Sequence, residues 1–161
     1  MSDKVVVMDH GVIEQVGRPQ DVYSRPETRF VADFLGQSNI LAGTVVAAAE
    51  SATEVELTNG VRLRVAGQGA VAEGQAVEVV IRAHKLEISA ATDAAPPDRA
   101  LNCFAGVVRD SNYLGGLATY FIESDGVELQ AINPIADRMF APGEAVALRT
   151  APKNCVLLES R

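Results

Sequence analysis

The chain has 161 residues, 48% of them hydrophobic, and carries a formal net charge of −7 at pH 7. This length suffices for one or two small domains with a buried core. No apolar run approaches the ~18 residues of a membrane-spanning helix. Asp3 and Lys4 precede only four apolar residues, which is not a signal-peptide pattern. The composition therefore predicts a soluble, cytosolic module without direct membrane insertion.

The charge and the rare residue types exclude several other classes. Lys and Arg total 14 against 21 Asp and Glu, and tryptophan is absent, so the basic groove with stacking aromatics that binds nucleic acid is not expected. His10 and His84 are the two histidines, and Cys103 and Cys155 stand far apart, which leaves no zinc-type spacing. We predict that both cysteines are reduced and buried.

The N-terminal part predicts a short hairpin. Residues 5–8 are an apolar strand, residues 9–11 form a turn that ends in glycine, and residues 12–16 return as a second strand. A two-stranded hairpin is marginally stable alone. We therefore expect it to pack on something larger.

Two helices are predicted to follow the hairpin. Pro19 and Pro26 each stand where a proline favours a helix start. In the second helix four apolar residues fall at helical spacing on one face, and Gly36 is placed to end the helix. The four residues are Phe30, Val31, Phe34 and Leu35.

From residue 39 onward the sequence contains one pattern twice. Each repeat opens with Gly-x-Val, continues with a hairpin that turns at a glycine dipeptide, and closes with Gly-x-x-Val-x-[Val/Leu]. Two such sets of short strands predict compact β-barrels or one interleaved barrel. The Ala- and Pro-rich residues 91–100 are the predicted linker. The turns lie at Asn59-Gly60 and at Asp125-Gly126.

Several stretches resemble a known family. Residues 7–17, 21–26 and 30–36 are similar to the end of the ATP-binding subunit of an ABC importer of the maltose, polyamine and ferric-iron type. Residues 79–88, the Tyr-Leu-Gly turn within 112–116 and the closing strands within 143–158 resemble the C-terminal TOBE domain of that family, a small OB-like β-barrel.

The resemblance implies a mainly β fold: an OB-like TOBE barrel built from two similar halves, preceded by a short β-hairpin and two helices. We expect residues 1–38 to be a remnant of the nucleotide-binding domain and residues 39–161 to be the TOBE domain. Its halves are expected at about 39–90 and 101–161.

The sequence also predicts that this part of the chain is not an enzyme. It contains no G-x-x-x-x-G-K-[ST] phosphate loop, no ABC signature and no paired nucleophile and base. We therefore expect no cofactor here. By resemblance, ATP and magnesium belong to the full-length subunit.

Five residues are candidates for a regulatory or interface role. Each has a plainer structural alternative. Arg82 ends a strand, and its stem is as well suited to pack over the barrel rim. His84, with Ala83, replaces a Pro-Glu of the family and is either a pH-sensitive group or an exposed, solvated side chain. Tyr113, Leu114 and Gly115 form either a ligand-facing loop or a turn whose side chains plug the barrel.

By resemblance, the function is that of a non-catalytic regulatory and dimerisation domain. We expect a homodimer, the membrane subunits of a transporter as partners of the full-length protein, and a location at the cytoplasmic face of the membrane. The transported solute is not readable, although the Tyr-Leu-Gly region favours polyamine-like cations. The alternative is an oxyanion-binding module using Arg82 with Ser38, Asn39, Thr44 and Ser89.

Overall fold

The computed structural model describes residues 3–67, 71–93 and 100–159. Within these ranges the strands form a two-stranded sheet and two five-stranded sheets, with short helices between them. No helix in this part of the chain is long and apolar enough to cross a membrane. The predicted mainly β, OB-like fold is confirmed.

Residues 3–37 are the N-terminal segment, which begins with the predicted hairpin. Strand β1 (Val5–Asp9) pairs antiparallel with β2 (Val12–Gly17). Between the strands His10 and Gly11 have φ of 47° and 82°. Two positive φ values give the mirror-image turn whose twist suits a hairpin.

Two short helices follow, α1 (Pro19–Ser24) and α2 (Arg29–Phe34). Pro19 starts α1 as predicted, whereas α2 begins beyond Pro26. Thr28 is the N-cap of α2, because its side-chain hydroxyl accepts the Val31 N–H. The predicted apolar face is wrong in one residue. Phe34 is 66% exposed, whereas the buried residues of α2 are Val31, which belongs to the predicted face, and Ala32, which does not.

The first repeat contributes four strands to one five-stranded sheet. They are β3 (Ser38–Ala48), β4 (Ala52–Leu57), β5 (Arg62–Ala66) and β6 (Ala76–Arg82). The first three form an antiparallel meander, and β6 returns to pair with β3. Alternation of buried and half-buried residues along β4 places one face on the core.

The second repeat has the same order of strands, β8 (Asn102–Leu114), β9 (Leu117–Ser124), β10 (Val127–Pro134) and β11 (Ala145–Thr150). Here β8, β9 and β10 form the meander, and β11 pairs with β8. The two repeats are therefore related strand by strand.

Each repeat receives its last strand from beyond the other repeat. Strand β7 (Glu87–Ala90), which follows the first repeat, pairs with β11, whereas β12 (Cys155–Glu159), which follows the second, pairs with β6. Of the two predicted arrangements, the structure has the interleaved one. The division into 39–90 and 101–161 stays a prediction. In the predicted linker, Ala91–Asp93 form a 3-10 turn and residues 94–99 lie outside the described residues.

A single apolar core joins the two repeats. Corresponding positions from both sheets are buried in one cluster, so the repeats share the free energy of core burial. The prediction for the cysteines is correct for Cys155 and wrong for Cys103, which is exposed; both are free. The central side chains include Val45, Val55 and Leu63 of the first repeat and Val108, Ile122 and Leu129 of the second.

Two buried asparagines tie each repeat to the other. The Asn102 amide donates to the Arg64 carbonyl and accepts the Arg64 N–H, both at 2.8 Å. The Asn39 amide donates to the Gln130 carbonyl at 2.8 Å and accepts the Gln130 N–H at 2.7 Å. Each amide thus replaces one rung of a sheet ladder. Both stand four residues before the glycine of Gly-x-Val.

Candidate functional site at the junction of the N-terminal segment and the barrel

Arg82 joins the N-terminal segment to the barrel. Its guanidinium donates from Nη2 and Nε to the Tyr23 carbonyl at 2.7 and 3.3 Å, and from Nη1 to the Ala32 carbonyl at 2.7 Å and to Ser38 Oγ at 2.6 Å. The guanidinium carbon lies 4.4 Å from the centre of the Tyr23 ring. Arg82 is only 5% exposed, so this cation is a buried connector.

The position of Arg82 follows from the strand and the helices around it. It is the last residue of β6, where the strand reaches the end of the sheet. The carbonyls of Tyr23 and Ala32 lie in the last turns of α1 and α2, where backbone carbonyls lack helical partners and a cation is favoured. Burial lowers the Arg82 pKa, while Tyr23 and Asp33 act to raise it.

His84 contacts the same tyrosine. Its Nδ1 lies 3.2 Å from the Tyr23 hydroxyl, and the two rings stack with centroids 5.8 Å apart. Burial lowers the His84 pKa, and the positive charges of Lys85 and Arg82 lower it further. The structure thus brings two candidates, Arg82 and His84, to one junction. His84 remains exposed.

An apolar contact lies beside this junction. Ala32 of α2 packs on Val80 and Leu158, with Ile40 and Val156 at the margin. Leu158 belongs to β12, so the exchanged strand supplies part of the surface on which the segment rests. Apolar packing and the hydrogen bonds of Arg82 therefore act on the same helix.

The other three candidates lie elsewhere, on the hairpin between β8 and β9. Tyr113 is 68% and Leu114 53% exposed, so the prediction that they plug the barrel is wrong. Gly115 and Gly116 have φ of 58° and 95°, which makes a tight two-residue turn. Tyr113, Leu114 and Leu117, the last of which is 42% exposed, surround this turn. Together they form an exposed apolar tip, which we call the β8–β9 tip.

Among the residues considered for oxyanion binding, Ser38 contacts Arg82, and most of the donors of both are already engaged. Ser38 and Asn39 are engaged with Arg82 and Gln130, Thr44 is exposed, and Ser89 lies on β7 with its hydroxyl buried and unpaired. Among the described residues no group of three or more His, Cys, Asp or Glu side chains is arranged to hold a metal ion. The site's chemistry is that of cation–carbonyl and ring contacts.

Sequence reasoning found Arg82 but missed its partners. Tyr23 and Ala32 bind through backbone carbonyls, which no side-chain pattern reveals. The bridging asparagines had a readable signal, since Asn-x-x-x-Gly occurs at the start of both repeats, at Asn39 and Asn102. The sequence pattern identified Asn59 and Asp125 at the hairpin turns, but not the bridging role of Asn39 and Asn102.

The fold and the junction define the class of this protein. An OB-like barrel of two strand-exchanged repeats is the architecture, and residues 79–158 match the family of the TOBE domain. Residues 79–158 belong to the TOBE domain family, as the resemblance implied.

Relatives extend the match to the N-terminal segment. The chain is similar to spermidine/putrescine import ATP-binding protein PotA of Rubrobacter xylanophilus, with 36% identity over 98% of this chain and 41% of the relative. It is 38% identical to PotA of Chromobacterium violaceum over 83% of this chain and 37% of that protein. The chain thus spans about two fifths of the length of these relatives.

A solved structure has the same fold. The cytoplasmic molybdate-binding protein ModG, crystallised with molybdate bound, superimposes with a TM-score of 0.65. The match covers 74% of this chain and 94% of ModG at 19% sequence identity. The likeness is one of fold alone.

Proposed function

We propose that this chain is the non-catalytic regulatory and dimerisation module of the ATP-binding subunit of an ABC importer. The observation that carries the proposal is the junction at Arg82. A free-standing barrel has no use for the N-terminal segment, whereas here that segment accepts three hydrogen bonds from Arg82 and lies within a match covering 98% of the chain.

The exposed face of the hairpin supports a larger parent protein. The inner face packs on the helices through Val7, yet the opposite face is apolar and exposed. The rest of the ATP-binding domain is the expected cover for this face. The transporter's membrane subunits, its location at the cytoplasmic face and a polyamine-like solute follow as parts of this proposal. The exposed residues are Val6, Met8, Ile13 and Val16.

Two features support dimerisation. Strands β5 and β12 are the outer strands of one sheet, and β10 and β7 those of the other, so among the described strands each of the four has a ladder partner on one side, with the asparagine bridges to Arg64 and Gln130 covering part of two of these edges. The β8–β9 tip adds three exposed apolar side chains on a tight turn. Exposed apolar residues grouped in this way mark contact sites.

The oxyanion-binding alternative meets an obstacle at Arg82. Four of its five N–H groups already donate to carbonyl and hydroxyl oxygens, and its cation is buried against Tyr23. An anion at this place has to displace the N-terminal segment. This supports the transporter module over the ligand-binding module.

Light scattering of the purified chain tests dimerisation, and thermal unfolding with molybdate, sulfate, phosphate or spermidine tests ligand binding. We expect a dimer whose Tm none of the solutes changes. A Tm that rises with the concentration of one solute, as linkage requires, would favour the alternative. A monomer at all concentrations would overturn the dimer.

The contact surface is tested with paired variants. Tyr113→Ser with Leu114→Ser should weaken the dimer about tenfold or more, because aromatic and leucine side chains dominate such contacts. Ala48→Ser with Ala49→Ser, at the corresponding turn of the first repeat, is the control and should leave the dimer unchanged. Equal behaviour of both pairs would exclude the tip as the interface.

A further inference from the structure

Residues 37–39 contact both the junction and the second repeat. Ser38 Oγ accepts from Arg82 and donates to the Ala32 carbonyl at 3.2 Å. The next residue, Asn39, is 5% exposed and donates to the Ile81 carbonyl at 3.2 Å as well as binding the backbone of Gln130. Three consecutive residues therefore join the segment to a strand of the other repeat.

A side-chain contact strengthens this connection. The Gln130 side-chain amide donates to the Gln37 side-chain oxygen at 2.8 Å, and the Gln37 carbonyl accepts the Ala83 N–H at 3.0 Å. Gln130 is thus held through both its backbone and its side chain. Ala83 directly follows Arg82, so the contacts close around the cation.

The other asparagine bridge lacks such a connection. Asn102 binds the Arg64 backbone in the same way, but the residue before it is Leu101, which has no hydroxyl. Ala151 stands at the position that corresponds to Arg82. Of the two equivalent bridges, the one at Asn39 is joined to a buried cation.

We propose that Arg82, Ser38 and Asn39 form a latch that transmits a displacement of the N-terminal segment to strand β10 through Gln130. Its regulatory purpose rests on the proposed function, because the segment would carry movements of an ATP-binding domain. The physical coupling itself does not depend on that function. A contiguous hydrogen-bonded network through packed strands is one physical carrier of such coupling.

The latch has a defined far end. Strand β10 runs antiparallel to β9, and its last residue, Pro134, lies opposite Leu117 of the β8–β9 tip. The Ile135 N–H also donates to the Gly116 carbonyl at 3.0 Å. A shift of β10 therefore reaches the exposed β8–β9 tip. Through the latch, the position of this tip depends on the position of the N-terminal segment.

Hydrogen exchange of the intact chain tests the latch with Arg82→Met, which keeps the stem and removes every donor. Amides of α1 and α2 should exchange about 10- to 100-fold faster, since local opening costs less. The Gln130 amide should also exchange at least about threefold faster, although the hydrogen bonds of Arg82 described above go to Tyr23, Ala32 and Ser38. The Arg64 amide, held by the other bridge, should keep its rate.

The outcomes separate the latch from simple destabilisation. Faster amide exchange in the N-terminal segment with an unchanged rate at Gln130 would overturn the coupling. Equal acceleration of exchange at Gln130 and Arg64 would show global loosening instead. Ser38→Ala should give the same pattern at smaller amplitude and covers the case in which Arg82→Met does not fold. Arg109→Met removes an exposed arginine of β8 paired with Glu123 and is the matched control. The experiment needs no dimer, so its failure is distinct from failure of the proposed function.

Discussion

The outer faces of the two repeats differ although their backbones correspond. In the first repeat four apolar residues form the surface beneath α2, whereas the corresponding positions of the second repeat carry polar or small side chains. The first set is Ile40, Val80, Val156 and Leu158, and the second is Cys103, Arg149, Glu87 and Ser89. The barrel therefore has one docking face for the N-terminal segment.

This difference shows where specificity lies in a duplicated fold. The inward-facing positions keep their apolar character in both repeats because they share one core. The outward-facing positions are free to diverge, and Arg82 corresponds to Ala151. The shared inward-facing positions thus form the barrel, and a few outward-facing residues form the junction. The following four experiments test the correspondence between the repeats.

The strongest test adds a methyl group at the glycine of either Gly-x-Val. A Cβ on Gly43 would lie 2.6 Å from Val55 Cγ1 and 2.8 Å from the Glu56 carbonyl, and one on Gly106 would lie 2.6 Å from Ile122 Cγ2. Backbone crowding of this kind cannot relax cheaply, so Gly43→Ala and Gly106→Ala should each cost about 3 kcal/mol in urea unfolding. If only one of the two variants lowered the free energy of unfolding by less than about 1 kcal/mol, the two repeats would not correspond at this glycine.

The asparagine bridges come next. Asn39→Ala and Asn102→Ala each leave buried backbone groups without hydrogen-bond partners. Each variant should therefore lower the free energy of unfolding by about 2 kcal/mol. The double variant should be additive if the bridges act independently. Asn112→Ala, in an exposed part of β8, is the control and should change stability by less than about 0.5 kcal/mol.

A smaller effect is expected from exchanging outer-face residues. Val156→Glu places on the first repeat the residue that the second has at Glu87, and the charge at a half-buried position beside α2 should cost about 1 kcal/mol. Limited proteolysis should then cut the N-terminal segment faster. Glu87→Val, the reverse change, should leave the cutting rate unaltered. An unchanged rate in Val156→Glu would show that apolar contact is not needed for docking.

The smallest effect concerns acid. Glu144 accepts the Ala141 N–H at 3.0 Å and pairs with Arg138, which holds the Glu144 pKa at about 2, below its ordinary 4.5. A lowered carboxyl pKa contributes stability that is complete above pH 4.5 and lost as pH falls through 2. In the first repeat Gln75 accepts the Ala72 N–H at 3.1 Å and cannot titrate.

Amide exchange of Ala141 should therefore rise between pH 4.5 and pH 2 relative to its intrinsic rate, while that of Ala72 stays level. Glu144→Gln should remove the difference between the repeats. An Ala72 amide that responds to acid in the same way as Ala141 would mean that the whole barrel loosens, and that the carboxylate is not the cause.

The sequence by itself determined the strands, the turns and the class of fold. Asn-Gly, Asp-Gly and Gly-Gly dipeptides with alternating apolar residues act locally, so the hairpins at Gly60, Gly116 and Gly126 were readable. The family resemblance added the TOBE domain. Arg82 was identified as a candidate, but its role was not.

Only the tertiary structure decided the exchange of β7 and β12, the burial of Arg82 and the exposure of Tyr113. Strand exchange depends on which distant edges meet, and a local pattern reads the same for either partner. Arg82 is buried because backbone carbonyls of two helices come within reach, and carbonyls leave no trace in the sequence. The Tyr113 side chain is exposed because its hairpin extends beyond the core. How far the hairpin extends past the core depends on the packing of the two sheets, which the sequence pattern does not show.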